Sequence, residues 1–308
     1  LFTTSCSQKE QKETYTFYAM DTFISLTFYN TENSEELARG VEDIYINYSN
    51  VADDFQSGIS GFTVFDLNQK REGEISEELV ELLKFSVLMQ KETNGYYNPF
   101  IGRLSHLWKE ALENKRLVET DIIQIEIEIM NQTSLEIEGL YVRLVGNGNV
   151  DLGGVAKGYA TSKVKEYLDS MDCHSYLLNA GSSTIVLGNK NGDDFTVGLS
   201  KATASGYFEI LKMKETSIST SSIKEQSVLI DGIRYSHLLN PKTGWPALFY
   251  DTVSIIGEDS KVLDAYSTAL FAMDLEELKA FLEEKNLNGI VSKDNNTLYK
   301  SAGVESYA

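Results

Sequence analysis

The sequence predicts an α+β fold in one compact domain, and three observations carry that prediction. Short runs of alternating apolar residues, which suit strands, are interspersed with longer runs whose apolar residues recur three and four apart, which suit helices. The two kinds are mixed without the regular strand–helix–strand alternation of a doubly wound sheet. No Pro- or Gly-rich linker follows residue 14 and no internal repeat is visible, so nothing marks a point of division. At 308 residues, 42% hydrophobic and 24% charged, the chain is long enough and apolar enough to bury a sizeable core.

The stretch LFTTSCSQKEQKET, residues 1–14, runs from small and apolar residues to Cys6 and then turns abruptly polar. It resembles the remnant of a bacterial lipoprotein signal, in which cleavage before the cysteine frees a thiol for lipid attachment. On that reading Cys6 is a lipid anchor to the bacterial cell membrane, the residues after it are a flexible tether, and residues 15–308 form an extracytoplasmic domain. The plainer alternative is a frayed terminus with an incidental cysteine. Cys6 and Cys173 lie far apart in unlike contexts, so no structural disulfide is indicated. No stretch reaches the roughly 18 apolar residues that a membrane-spanning helix needs.

From Thr14 to Asn30 apolar residues alternate as in strands, with Met20, Asp21 and Thr22 interrupting them. Leu37, Val41, Ile44, Tyr45, Tyr48 and Val51 then recur at helical spacing and predict an amphipathic helix. Ser76 caps a second helix, with Ile75 and Val80 spaced for a hydrophobic staple, and Gly95 stops it. Residues 134–146 read as a hairpin. A helix begins directly after Gly153-Gly154, followed by strand-like runs at 175–181, 183–188, 195–200, 207–213, 226–231 and 252–257. Residues 261–273 and 275–286 look helical, the second opened by Asp274 with Glu277 in a capping-box relation, and strands at 288–293 and 297–300 close the chain.

The formal charge of −19 argues against a nucleic-acid partner, whose phosphates would be repelled. A nucleotide ligand would need a local cation or backbone N–H groups to offset that field. NVDLGGVAKGYA, residues 149–160, offers such a device: Asp151 at a strand end, a glycine pair that permits close backbone approach, and a helix start with free N–H groups and Lys157 in its first turn. A glycine turn serving only helix-on-sheet packing is the bland alternative. In LDAYSTALFAM, Asp264 and Thr268 are four apart and share a helix face, with Ser267 beside them, a hard-oxygen set fit for magnesium or simply a polar helix face. Tyr96 and Tyr97, before Asn98-Pro99, present aromatic surface suited to stacking on a flat ring, or else belong to the core. His237, one of only three histidines, stands at the entrance of a turn set by Pro241 and Gly244.

These stretches, with MDT at 20–22, NAGSS at 179–183 and ISTSS at 218–222, occur in one order, and in that order the chain resembles the ApbE family of FAD:protein FMN transferases. The match runs from about residue 16 to the C-terminus. Asp21, Ser182-Ser183 and Ser222 depart from the glycines or neighbouring residues usual in the family pattern. The resemblance implies a T-fold-related domain with mixed or antiparallel sheets and packed helices. It implies magnesium-dependent transfer of FMN from FAD to a Thr or Ser hydroxyl of an acceptor protein, with release of AMP. Carried over position by position, Gly154, Asp264, Ser267 and Thr268 would hold the metal. Met20, Tyr96, Tyr97, Asn98, Asp151, Lys157, His237 and Leu238 would bind the flavin nucleotide. The acceptor's proton would fall to His237 or Asp264, with nucleotide binding the preferred role for His237. An FAD pyrophosphatase and a lipoprotein that only binds FAD are the alternatives. Residues 57–63, SGISGFT, resemble the Ser/Thr-containing acceptor sequence of this family, which makes Thr63 a candidate for self-modification.

Overall fold

The first predicted pair of strands folds back where the alternation breaks. Met20 and Asp21 both take left-handed backbone, with φ of 51° and 57°. The chain reverses there, and Lys12–Ala19 pairs antiparallel with Thr22–Tyr29 in unbroken register. In the computed structural model, which describes residues 11–57, 61–190, 192–224 and 226–307, the elements follow in chain order. They are β1 (Lys12–Ala19), β2 (Thr22–Tyr29), α1 (Ser34–Ala52), α2 (Val64–Lys70), β3 (Glu72–Glu74), α3 (Glu77–Glu92), α4 (Gly102–Glu113) and α5 (Thr120–Asn131). Then come β4 (Ser134–Glu138), β5 (Tyr141–Val145), α6 (Ala156–Ser170), β6 (Tyr176–Ala180), β7 (Thr184–Leu187), β8 (Phe195–Ser200), β9 (Tyr207–Met213) and β10 (Thr216–Ser222). The last are β11 (Ser227–Ile230), β12 (Ile233–Ser236), β13 (Thr252–Gly257), α7 (Ser260–Phe271), α8 (Leu275–Glu284), β14 (Asn288–Lys293) and β15 (Asn296–Lys300).

Eight strands form one antiparallel sheet in the order β1-β2-β6-β7-β10-β13-β14-β15. The strand period of two divides its apolar residues between two cores. Ile24, Leu26, Phe28, Val253 and Ile255 face the larger one, against Val41 and Tyr45 of α1, Val164 and Leu168 of α6, and Leu263 and Leu270 of α7. Tyr29, Leu187, Ile218, Ile256 and Ile290 face the other way, onto Phe195, Val197, Leu199, Leu211 and Met213 of the separate two-stranded ribbon β8-β9. Smaller sheets, β3-β5-β4 and β11-β12, complete the α+β architecture.

The capping signals act as the sequence predicts. The Ser76 side chain accepts from the Leu79 N–H, and Asp274 and Glu277 form a reciprocal capping box on α8. Four findings differ from or add to the sequence reading. Strand β1 starts at Lys12, three residues inside the stretch read as tether, because Lys12, Glu13 and Thr14 find partners in Tyr29, Phe28 and Thr27. Cys6 and the rest of residues 1–10 lie outside the described residues. Thr63 is fully buried and caps α2 in a capping box with Asp66, which leaves its hydroxyl no access to an external ligand; Ser60 and its two predecessors are outside the described residues. Helices α2, α4 and α5 and strands β3 and β12 had no predicted counterpart. Among the described residues no helix is long and apolar enough to cross a membrane.

Helices α6 and α7 meet at Gly158, whose N–H donates to Asp264 Oδ2 at 2.7 Å. A Cβ at residue 158 would lie 2.3 Å from the Asp264 Cβ and 2.7 Å from the Ser260 carbonyl oxygen. Gly158→Ala is therefore expected to destabilise the protein by about 2 kcal/mol, overpacking outweighing the gain in helix propensity. The measurement is a lower denaturant midpoint at unchanged slope; an unchanged or higher midpoint would show that the helices separate without cost.

Candidate functional site

Three turns converge on the helix pair α6-α7. The first is the glycine turn: Asp151 Oδ1 accepts the Gly153 N–H at 2.8 Å, which shapes the chain into the start of α6. The second is Asn98-Pro99, where Asn98 Oδ1 accepts the Phe100 N–H at 3.0 Å. The two are joined directly, the Asp151 N–H donating to the Pro99 carbonyl at 2.8 Å. The third is Asn240 to Gly244. Asn240 accepts the Lys242 N–H through its side chain at 2.9 Å and donates to the Ala272 carbonyl at the end of α7 at 2.9 Å. Gly244 sits at φ 71°, and its carbonyl accepts the indole N–H of Trp108 at 2.7 Å. A side chain at 244 would strike Ile123 of α5, so only glycine fits.

These turns enclose a cavity of about 500 Å³. Of the residues singled out from sequence, Tyr96, Tyr97, Asn98, Asp151, Gly154, Lys157, His237, Leu238, Asp264 and Thr268 all line it. Gly154 lies against α7: a Cβ there would be 3.1 Å from Thr268 Cγ2 and 3.2 Å from the Tyr97 ring. Thr268 makes no hydrogen bond with its hydroxyl among the described residues. Burial raises the Asp264 carboxyl from 3.8 to about 6, against the opposing pull of Lys157 and the Gly158 N–H. Tyr97 is buried with its hydroxyl unpartnered among the described residues. His237 is exposed at the mouth, its Nδ1 3.3 Å from the Gln226 carbonyl oxygen.

Two of the singled-out residues lie elsewhere. Ser267 is fully buried behind the cavity, donating to the Asp264 carbonyl at 3.0 Å and sharing a hydrogen bond with Ser221 at 3.0 Å. Met20 is in the β1-β2 turn, its N–H donated to Ser49 Oγ, and is not part of the cavity wall. The structure also adds wall residues to those singled out, some of them in the stretches already marked at 179–183 and 218–222. Lys157 donates to Ser183 Oγ at 3.0 Å, and Thr196, Leu199 and Tyr207 of the β8-β9 ribbon face the same space. Thr220 and Ser222 do so from β10, where the run of hydroxyl residues was the available signal. The departures Asp21 and Ser182 both occupy left-handed backbone, at φ 57° and 62°, the region glycine enters without strain.

Among the described residues no group of three or more His, Cys, Asp or Glu side chains could hold a metal ion. The oxygen set here is of another kind, one buried carboxylate with a hydroxyl and a backbone turn beside it. The fold has counterparts among known proteins. Residues 20–291 match the model of the ApbE family. The chain belongs to the ApbE family.

A relative from Treponema pallidum, named FAD:protein FMN transferase, is 26% identical over 230 residues, which is 68% of this chain and 64% of that protein. The chain thus spans just under two thirds of that relative's length. A protein of the same name from Haemophilus influenzae is 22% identical over 256 residues, 74% of this chain and 72% of its own. Among solved structures, the ApbE protein of Thermotoga maritima superposes with a TM-score of 0.87 at 22% identity, covering 96% of this chain and 99% of that one. The flavin transferase ApbE of Vibrio cholerae superposes at 0.80 with 21% identity, covering 97% and 100%. At these identities the structural likeness is one of fold, and it agrees with the α+β domain read from the sequence.

A carboxyl raised on folding holds its proton more tightly in the native than in the unfolded state. Its contribution to stability is fully present below the unfolded value of 3.8 and is lost as pH rises through about 6. At about 1.4 kcal/mol per unit this amounts to roughly 3 kcal/mol. Asp264→Asn keeps an acceptor for the Gly158 N–H and removes the charge. In the presence of a chelator it is expected to raise stability at pH 7.5 by about 2 to 3 kcal/mol, and the gain should vanish by pH 4. Denaturation across that range measures it; a gain independent of pH would mean that the buried charge is not its source.

Proposed function

We propose that the protein transfers FMN from FAD to a Thr or Ser hydroxyl of an acceptor protein, with magnesium required and AMP released. The observation that carries this reading is the meeting of the glycine turn at Gly154 with Asp264 and Thr268 in a cavity that also holds Tyr96, Tyr97 and His237. The names of the family relatives support it.

The residues present fit a hard divalent cation. Asp264 offers a buried carboxylate whose ionised form lacks sufficient compensation from the protein, Thr268 offers an uncommitted hydroxyl, and Gly154 offers a backbone carbonyl. Bound there, magnesium would neutralise the charge of a pyrophosphate and orient it. Ser267 supports this set from behind through the Asp264 carbonyl. Lys157 in the first turn of α6 would bring a cation to a phosphate, the N–H groups of Gly153, Val155, Ala156 and Gly158 being taken by Asp151, Leu152 and Asp264. Tyr96 and Tyr97, set by the Asn98-Pro99 turn, supply surface for a flat ring.

The nucleophile comes from the acceptor, so the chain's own task is to take a proton and to keep the phosphorus accessible. Asp264 is buried and committed to the Gly158 N–H, whereas His237 stands exposed at the mouth where an acceptor side chain arrives. We therefore assign the proton to His237, in place of the nucleotide-binding role preferred from the sequence, with Leu238 packing beside the nucleotide. Attachment to the outer face of the cell membrane through Cys6 is part of the proposal and rests on the sequence alone.

The test supplies FAD, magnesium chloride and a candidate acceptor protein, and follows AMP by chromatography and covalent flavin by in-gel fluorescence. Both are expected together, and chelation should abolish both. Asp264→Ala should lower turnover by at least roughly 100-fold, the scale of losing one electrostatic stabiliser, while FAD binding survives. AMP release with no covalent flavin for any Thr- or Ser-bearing acceptor would replace transfer by FAD hydrolysis. FAD left whole with magnesium present would reduce the protein to a binder.

A further inference from the structure

Tyr96 is held in a way that packing alone does not require. Its hydroxyl donates to both carboxylate oxygens of Glu277, at 2.6 and 2.7 Å, although the two residues are 181 positions apart. Glu277 is itself immobilised, since it completes the capping box of α8 by accepting the Asp274 N–H at 3.2 Å. The Lys242 ammonium lies 3.8 Å from the centre of the Tyr96 ring. Lys242 in turn belongs to the Asn240–Gly244 turn, whose backbone is pinned to Asn240 and, through it, to the end of α7. The phenol is thus fixed at its tip by an anion and on one face by a cation, and it borders the cavity. Neither Glu277 nor Lys242 lines that cavity.

We infer that Glu277 and Lys242 are positioning residues that lock the Tyr96 ring so that its remaining face is presented, already ordered, to the flat ring of the nucleotide. An aromatic side chain free to rotate would have to be ordered by the ligand at a cost in affinity, and the clamp removes that cost in advance. Burial and the Glu277 carboxylate both push the Tyr96 phenol upward, so it stays protonated and able to donate. The clamp makes α8, which contributes no wall residue, part of the binding apparatus. The inference rests on the flavin-transfer reading only in taking FAD as the ligand.

Equilibrium FAD binding, followed by quenching of flavin fluorescence in the presence of a chelator, tests it. Lys242→Met, Glu277→Ala and Tyr96→Phe are each expected to weaken FAD by roughly 5- to 10-fold, in the range of single-contact losses at an ordered site. Tyr96→Phe/Glu277→Ala should be no weaker than Tyr96→Phe alone, because both act on one hydrogen bond. Lys242→Arg and Glu277→Gln, which keep the ring cation and the acceptor, should recover most of the affinity. Lys279→Gly, which weakens α8 without touching Glu277, Lys242 or the phenol, should leave FAD affinity unchanged, so that a general loss of α8 is separated from loss of the clamp. In turnover, the clamp variants should raise the KM for FAD rather than lower kcat. Additive losses in the double variant, or wild-type affinity in Lys242→Met and Glu277→Ala, would overturn the clamp. Failure of the wild-type protein to bind FAD would overturn the clamp and the flavin-transfer reading together.

Discussion

The site depends on how closely two helices can approach. At Gly158 the absence of a side chain lets α7 come near enough for the Asp264 carboxylate to accept a backbone N–H from the first turn of α6. That single hydrogen bond sets the relative height of the helices. With Asp264 fixed, Thr268 falls one turn further along the same face and arrives against Gly154. The same burial that makes the contact possible makes the carboxylate costly to ionise, so the protein keeps a strained acid where a cation can relieve it. Stability is given up at that one position.

The turns around this helix pair bear cavity-lining side chains, and each is tied to a neighbour by a hydrogen bond to a backbone carbonyl. Pro99 is joined to Asp151, Gly244 to Trp108, and Asn240 to the end of α7. Residues distant in sequence are thereby held in register without a long shared element, which is how loops deliver precise geometry on a firm scaffold. The chain is acidic overall, yet Lys157 lines the cavity and Lys242 lies against the Tyr96 ring beside it, so local geometry, not net charge, decides the field there.

Much of the fold was legible because its signals were local. The alternation in β1 and β2, the Ser76 cap and the Asp274–Glu277 box all act within a few residues. Helix α5 was not legible for the opposite reason. Its isoleucines alternate with polar and acidic residues as in a strand, and what makes it a helix is tertiary: Ile123, Glu126 and Met130 share the buried face, and Arg103 from α4 takes the Glu126 carboxylate in two hydrogen bonds of 2.6 and 2.7 Å. Most of the residues singled out from the sequence line the cavity, because glycine turns, Asx-Pro steps and a helix face with a carboxylate and a hydroxyl each leave a compositional trace. Ser267 and Thr268 are adjacent in sequence, but the helix turns one inward and the other toward the cavity, and spacing cannot say which. The ribbon β8-β9 left no chemical trace at all, since its strands carry ordinary alternation and their place over the cavity is set by packing on the far side of the sheet.

That ribbon is held by side chains on its own small apolar cluster and shares no strand ladder with the eight-stranded sheet. The part of the cavity wall that it supplies is therefore mounted on a different foundation from the rest. A molecule lodged between them would act as a cross-brace, joining the two clusters of packing that the sheet divides.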